Sequence, residues 1–359
     1  MTKSRTGNFF EDFHVGMRIA HPTPRTLTDG DRSLYIALTG SRDAISSAET
    51  TSRRVGMQRQ PHDPFLVFNV AFGKTVPDIS LNAVANLGYA DGRFLAPVHS
   101  GDTLRVESEV IGLRDTSSGK SGVVYTRSTA FNQDDRAVLS WVRWVLVHRR
   151  AASSAPVEPV TPLLPAFVKP EALAVPDYGA NPADIAVATG SHDFWEDYVP
   201  GERIDHPSGM TINDSDHSCA TRLYQNTAKV HFDARLMAAA PSGKRLVYGG
   251  HIISLARSLA YDGLENVLGV LALNGGSHTA PTHAGDTVNC ATMVLDRMDL
   301  SHPGVGALRL RTVAAINVAG AEHIVFPREG HARGDAPGVV LDFDYTVAIP
   351  KTPAIRATS

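Results

Sequence analysis

Between positions 223 and 251 the chain carries Asn226, His231 and Asp233, then the glycine pair Gly249-Gly250, then His251. An imidazole gains and loses a proton near neutral pH, so His231 is a candidate general acid and base. The side-chain amide of Asn226 can orient a water by donating and accepting, but it cannot take up a proton. Asp233 can orient His231 or cap a helix. A second stretch of the same chain, residues 34–46, ends in Ser46 where the histidine would stand. A serine without a base cannot do that proton work near neutral pH.

The comparison is available because the chain is a tandem duplication. Ala96-Pro97-Val98-His99-Ser100-Gly101-Asp102-Thr103 returns as Ala280-Pro281-Thr282-His283-Ala284-Gly285-Asp286-Thr287, shifted by 184 positions, from 96 to 280. Phe10-Glu11-Asp12-Phe13 is echoed by Trp195-Glu196-Asp197-Tyr198, shifted by 185, from 10 to 195. His21-Pro22 maps onto His206-Pro207 at that same offset. Two matched segments on nearly one offset mark an internal repeat. Residues kept in both copies, His99 and His283 among them, read as structural; polar residues in one copy only are candidates for chemistry.

The elements that must position these groups follow from periodicity. Copy one spans 1–150 and copy two 186–350, each long enough to bury a core. Each opens with a polar, turn-rich entry, continues into one apolar helical stretch and ends in alternating strands. The helices are predicted at 66–74, ended by Pro77, and at 250–261. Strands are predicted at 103–112, 123–132 and 137–147, and again at 287–295, 307–317 and 339–348. Residues 151–185 are proline-rich and lose periodicity, which predicts a linker. Residues 323–338 form a looser insertion, and 351–359 a tail. The fold class that periodicity supports is α+β, two units in tandem; a lone apolar helix must be buried nearly all round, which a curled antiparallel sheet can do.

Bulk properties exclude several functions. A net charge of −3 with mixed signs gives no basic stripe, so no nucleic acid is expected as a partner. No run of eighteen apolar residues occurs, so no membrane span is expected. Cys219 and Cys290 lack paired spacing and read as reduced thiols, which predicts a cytoplasmic protein. Copy two is rich in histidine but carries neither Cys-x-x-Cys nor His-Glu-x-x-His, so no metal site is expected.

The segment from Leu223 to His231-Phe232-Asp233, followed by Tyr248-Gly249-Gly250, resembles the hydratase motif of the MaoC-like, or (R)-specific enoyl-CoA hydratase, family. Further segments are Thr75-Val76-Pro77-Asp78-Ile79-Ser80, Asn86-Leu87-Gly88-Tyr89-Ala90-Asp91-Gly92 and Val340-Leu341-Asp342-Phe343-Asp344-Tyr345. With these the whole chain, linker excepted, resembles the mesaconyl-CoA hydratase (β-methylmalyl-CoA dehydratase) branch of that group. The resemblance implies a double hot-dog fold and reversible addition of water to mesaconyl-C1-CoA. It places His231 on the catalytic histidine, Asp233 on the acidic residue beyond it, and Gly249 and Gly250 on the backbone amides that face the thioester carbonyl. The family's acidic residue five before the histidine is Asn226 here. Proton transfer therefore falls on His231, with Asn226 positioning the water.

The implied substrate is an acyl-CoA thioester, with no further cofactor since CoA belongs to the substrate. Enolate charge on the thioester oxygen would be met by amides at the positive end of the second helix. The second carboxylate of such a substrate requires a cation, for which Arg222, Arg235 and Arg257 of copy two, with Arg53-Arg54 of copy one, are candidates alongside His251 as a lesser substrate contact. Competing expectations are a hydratase for another short-chain acyl-CoA, a thioesterase, and a non-catalytic acyl-CoA binding protein. A homodimer and a self-sufficient pseudo-dimer both fit a duplicated fold.

Overall fold

The computed structural model describes residues 6–150, 157–328 and 336–353. Copy one runs β1 (Arg18–Thr26), α1 (Asp29–Thr39), α2 (Ala44–Ser47), α3 (Glu49–Arg54), α4 (Pro64–Thr75), β2 (Ala83–Phe94), β3 (Thr103–Asp115), β4 (Ser121–Phe131) and β5 (Ala137–His148). A short helix, α5 (Ala186–Thr189), follows the connection. Copy two repeats the plan as β6 (Arg203–Asp205), β7 (Met210–Thr211), α6 (Asp214–Leu223), α7 (Ala234–Met237), α8 (Gly249–Leu259), β8 (Gly269–His278), β9 (Thr287–Asp299), β10 (Val305–Ile316) and β11 (Val339–Pro350).

All the strands join one antiparallel sheet in the order β1-β3-β4-β5-β2-β8-β11-β10-β9-β6, with β7 on β9. The halves meet at β2 and β8, where Tyr89 faces Gly276 and Arg93 faces Ala272. This seam satisfies the backbone groups of what would otherwise be two open edges. The sheet holds α4 and α8, the buried helices of an α+β double hot-dog. In α4 every residue from Phe65 to Thr75 is buried, and in α8 every residue from Gly250 to Leu259.

The two helices touch. The Asn69 amide of α4 donates to the Gly250 carbonyl at 3.1 Å and to Ser254 Oγ at 2.9 Å in α8. A Cβ on Gly250 would overlap Asn69 and the Tyr248 ring, so that glycine is required by the crossing. The main hydrophobic cluster accordingly mixes both copies, Phe65, Phe68 and Tyr89 with Ile253, Leu255 and Phe343. A separate core for each half was expected; the larger core is shared.

Other expectations need adjusting. Pro77 does not end copy one's helix: α4 passes at Val76 into a π turn, Val76–Ser80, that holds Pro77 in its first turn. The second helix starts one residue early, at Gly249, and stops at Leu259. The segment read as a linker is docked rather than free. Val168 is buried, and Tyr178 and Ile185 are buried in a cluster with Ile45 and Val55 of copy one and Leu268 and Val305 of copy two. Residues 151–156 of that segment, 329–335 of the expected insertion and 354–359 of the tail lie outside the described residues. No described helix is long and apolar enough to cross a membrane.

Candidate active site

Asn226 and His231 approach the core through a tight local geometry. Gln225 takes a positive φ of 52°, and the Asn226 side-chain oxygen accepts the Ala228 N–H at 2.9 Å. The chain then turns through a short 3-10 segment, Lys229–His231. The facing extended segment is pinned by Leu246 N–H donating to the Val230 carbonyl at 3.0 Å. On the other side, α4 approaches so closely that a Cβ on Gly73 would overlap the Tyr224 carbonyl.

His231 is 9 % exposed. Its Nδ1 lies 2.9 Å from the Leu246 carbonyl oxygen. A carbonyl only accepts, so Nδ1 carries the proton and Nε2 keeps the lone pair. Burial lowers the ring's pKa from 6.5 to about 4, with the neighbouring His217 adding to the shift. The base is therefore neutral and receptive across the physiological range.

His231 lines a cavity of about 310 Å³ together with Asn226, Tyr248 and Gly249 from copy two and Phe72, Tyr89 and Arg143 from copy one. Aromatic contacts run along its wall: His231 to Tyr248 at 5.6 Å between ring centroids, and Tyr248 to Phe72 at 5.6 Å. No aspartate or glutamate lines the cavity among the described residues. The Asn226 oxygen is engaged by Ala228, which leaves its NH2 as the group free to donate to a cavity water.

The start of α8 has no side-chain cap: Tyr248 occupies the N-cap position and makes no capping bond. The Gly249 and Gly250 amides have no hydrogen-bond partner among the described residues. These are orphan donors at the positive end of the helix. Gly249 borders the cavity; Gly250 lies one step deeper, against Asn69. A Cβ on Gly249 would overlap the His278 ring, another cavity residue.

Copy one lacks each of these features. At the offset of 185, Asp63 stands for Tyr248, Pro64 for Gly249 and Phe65 for Gly250. Asp63 accepts the Phe65 N–H at 2.8 Å, and Pro64 has no N–H to offer. Ser46, in the histidine position, donates its hydroxyl to Asp43 at 2.9 Å. The cavity here, about 510 Å³, is bordered by the connection residues Val175, Pro176 and Tyr178. His99 and His283 behave as the repeat predicts: each Nδ1 donates to a backbone carbonyl, of Gln60 and Arg245, at 3.0 Å.

Several sequence candidates fall elsewhere. Asp233 caps α7, its carboxylate accepting the Leu236 N–H at 2.9 Å, and the Leu246 carbonyl orients His231 in its place. Arg222 and Arg235 are exposed and outside the cavity lining, as are Arg53 and Arg54. Arg257 is buried but points to copy one, with Nη2 3.8 Å from Asp43. His251 is buried inside α8 beside Tyr224, away from the lining. The residue missed is Arg143. Its signal was a lone cation in the middle of the apolar run Trp141–Val147, in the copy read as catalytically silent.

Comparison with known proteins agrees with this architecture. The mesaconyl-CoA hydratase family model matches residues 1–322. A β-methylmalyl-CoA dehydratase of Chloroflexus aurantiacus is 50% identical, with 97% of this chain and 99% of that protein covered. A mesaconyl-CoA hydratase of Cereibacter sphaeroides is 49% identical, covering 97% of this chain and all of the relative, 100%. The crystal structure of a MaoC domain dehydratase from Chloroflexus aurantiacus superposes with a TM-score of 0.94 at 49% identity, covering 98% of this chain and 100% of that one. A Mycobacterium tuberculosis protein with a double hot-dog fold gives 0.71 at 26% identity, with 96% and 99% covered. With its duplicated fold and a family match over most of its length, the chain belongs to the mesaconyl-CoA hydratase family, a MaoC-like family of hydratases and dehydratases.

Proposed function

We propose that the protein interconverts mesaconyl-C1-CoA plus water with β-methylmalyl-CoA, using a single site formed around copy two. It acts as a hydro-lyase of the hydratase/dehydratase class. In the hydration direction the neutral Nε2 of His231 takes a proton from a water held by the Asn226 NH2, as the water oxygen attacks the β carbon. The thioester carbonyl becomes an enolate, and its charge is met by the Gly249 and Gly250 amides. The resulting imidazolium returns the proton to the α carbon, so that H and OH add across the double bond and no net proton is consumed. Dehydration runs the same steps backwards, with His231 removing the α proton and then protonating the departing hydroxyl.

The observation that carries this reading is the pairing of two unspent functions in one cavity. His231 has Nδ1 fixed on Leu246 and a free lone pair, and α8 begins with uncapped amides. A donor aimed at developing oxyanion charge contributes roughly 3–4 kcal/mol to the transition state. A thioesterase of the same fold would need a carboxylate to activate water, and none lines the cavity among the described residues.

The test is an absorbance assay with mesaconyl-C1-CoA. Loss of the conjugated enoyl signal without release of free thiol supports hydration. Thiol release indicates a thioesterase, and no change in either signal indicates a binding protein; both outcomes overturn the proposal.

A further inference from the structure

Arg143 is the one arginine or lysine that lines the cavity among the described residues. It sits in the middle of β5, opposite Tyr89 of β2 and Thr126 of β4, and is 0 % exposed. It makes no ion pair among the described residues. Its Nη2 donates to Thr75 Oγ1 at 2.8 Å, with longer contacts of 3.4 Å from both Nη atoms to Ser80 Oγ. The Nε is buried with no hydrogen-bond partner. The guanidinium lies 4.2 Å from the centre of the Phe72 ring. The ionisable groups acting on it are the phenols of Tyr89 and Tyr248, both neutral because burial raises their pKa values. Burial lowers its own pKa to about 10, which still leaves it charged at neutral pH.

A cation removed from water with no anion beside it is costly, and folded proteins rarely retain one without a use. Here the unpaired charge borders the same cavity as His231 and Gly249. The repeat sharpens the point. By sheet register Arg143 corresponds to Tyr345, which lies opposite Leu273 and Leu310 as Arg143 lies opposite Tyr89 and Thr126. The cation therefore exists in one copy only, as the histidine does, but in the other copy.

Resting on the hydratase reading above, we infer that Arg143 binds the free carboxylate of a dicarboxylic acyl-CoA, so that the silent half supplies the specificity of a site whose base lies in the active half. The hydroxyls of Thr75 and Ser80 and the face of Phe72 hold the guanidinium in place, and the remaining N–H groups meet the carboxylate oxygens. Arg222, Arg235 and Arg257 cannot substitute, because none lines the cavity.

The experiment compares kcat/KM for mesaconyl-C1-CoA and for tiglyl-CoA, the analogue with a methyl in place of the carboxylate, in the wild type, Arg143→Gln and Arg143→Lys. The wild type should favour the dicarboxylic thioester by about a hundredfold or more. Arg143→Gln should lower kcat/KM for mesaconyl-C1-CoA by about a hundredfold while leaving tiglyl-CoA unchanged or improved. Arg143→Lys, which keeps the charge but loses the planar fork, should fall between the two in preference. Should Arg143→Gln fail to fold, the preference ratio of Arg143→Lys is read in the same way. An equal loss on both substrates, or a ratio unmoved in the folded variant, overturns the assignment of Arg143 and leaves the hydratase reading standing. A wild type inactive on both thioesters overturns that reading and this inference with it.

Discussion

Acidifying the protein from pH 7 to pH 5 tests the physical state on which the chemistry depends, a base kept neutral by burial. His62, His206, His231 and His251 are each lowered by burial from 6.5 to about 4. Above pH 6.5 these rings are neutral in both folded and unfolded chains and contribute nothing to the pH dependence. Between 6.5 and 4 the unfolded chain protonates them and the folded one does not, so stability is lost as pH falls. In mid-window each ring removes roughly 1.4 kcal/mol per pH unit. Asp63 has the opposite sign: burial raises its carboxyl from 3.8 to about 6, so between those values the folded state holds a proton that the unfolded state has released. Asp344, raised by burial, acts in the same sense. The net difference of about two to three protons gives a slope of roughly 3–4 kcal/mol per pH unit near pH 5. That is a large fraction of the roughly 5–15 kcal/mol by which a typical protein is stable. Urea denaturation at a series of pH values measures the slope, and NMR of labelled histidines measures the ring pKa values directly. Turnover per folded molecule should pass through pH 6.5 without a step. A denaturation midpoint unchanged from pH 7 to pH 5, or a His231 ring titrating near 6.5, would refute the reasoning.

Three substitutions separate structural from chemical roles. Asp233→Ala removes the cap of α7 and should cost about 1 kcal/mol by denaturant titration while turnover stays within twofold; a loss like that of a catalytic residue would return Asp233 to the site. Ser46→Ala removes the hydroxyl bond to Asp43 and should cost about 0.5–1.5 kcal/mol, with turnover unchanged in the enoyl assay, because copy one does no chemistry. Tyr178→Ala should cost about 3–5 kcal/mol in the same denaturant titration, because the ring of this connection residue is fully packed between the halves; a loss below about 1 kcal/mol would show a connection that is not docked.

The parts of the fold legible in sequence were those with clean periodicity. The apolar α8 and the alternating strands β3 to β5 and β9 to β11 were placed within a few residues, since each buries one regular face. The seam strands were not read as strands. In β2, Gly88 makes room for the Trp144 ring, Gly92 lies against Leu273, and Asp91 has a φ of 48°. Its register on β5 shifts at three places, so the apolar alternation is broken repeatedly. In β8 the apolar run Val270–Leu273 is buried throughout and shows no alternation, and Asn274-Gly275-Gly276 then interrupts it where the strand pairs with Tyr89 and Ala90.

At the site, the difference between the copies pointed to residues 223–251, and the resemblance to the hydratase motif singled out His231, Gly249 and Asn226 within them. The same comparison exposes Asp63 against Tyr248, the substitution that caps one helix and leaves the other open. Arg143 was not legible because the cation candidates stood beside the motif in copy two and at Arg53-Arg54 of copy one, whereas the seam between β2 and β8 brings an interior strand of copy one to the cavity. Asp233 stayed open between two roles because spacing cannot distinguish a carboxylate that orients a histidine from one that caps the next turn; its bond from Leu236 and the Leu246 carbonyl on His231, fifteen positions beyond that histidine, decide for the cap.

The measurement that bears most directly on the central claim is turnover of mesaconyl-C1-CoA by His231→Ala, followed as enoyl absorbance on protein whose circular dichroism and thermal melt match the wild type. The proton shuttle assigned to this imidazole predicts a hundredfold to about ten-thousandfold fall in kcat. Activity retained within tenfold by a correctly folded His231→Ala would contradict it.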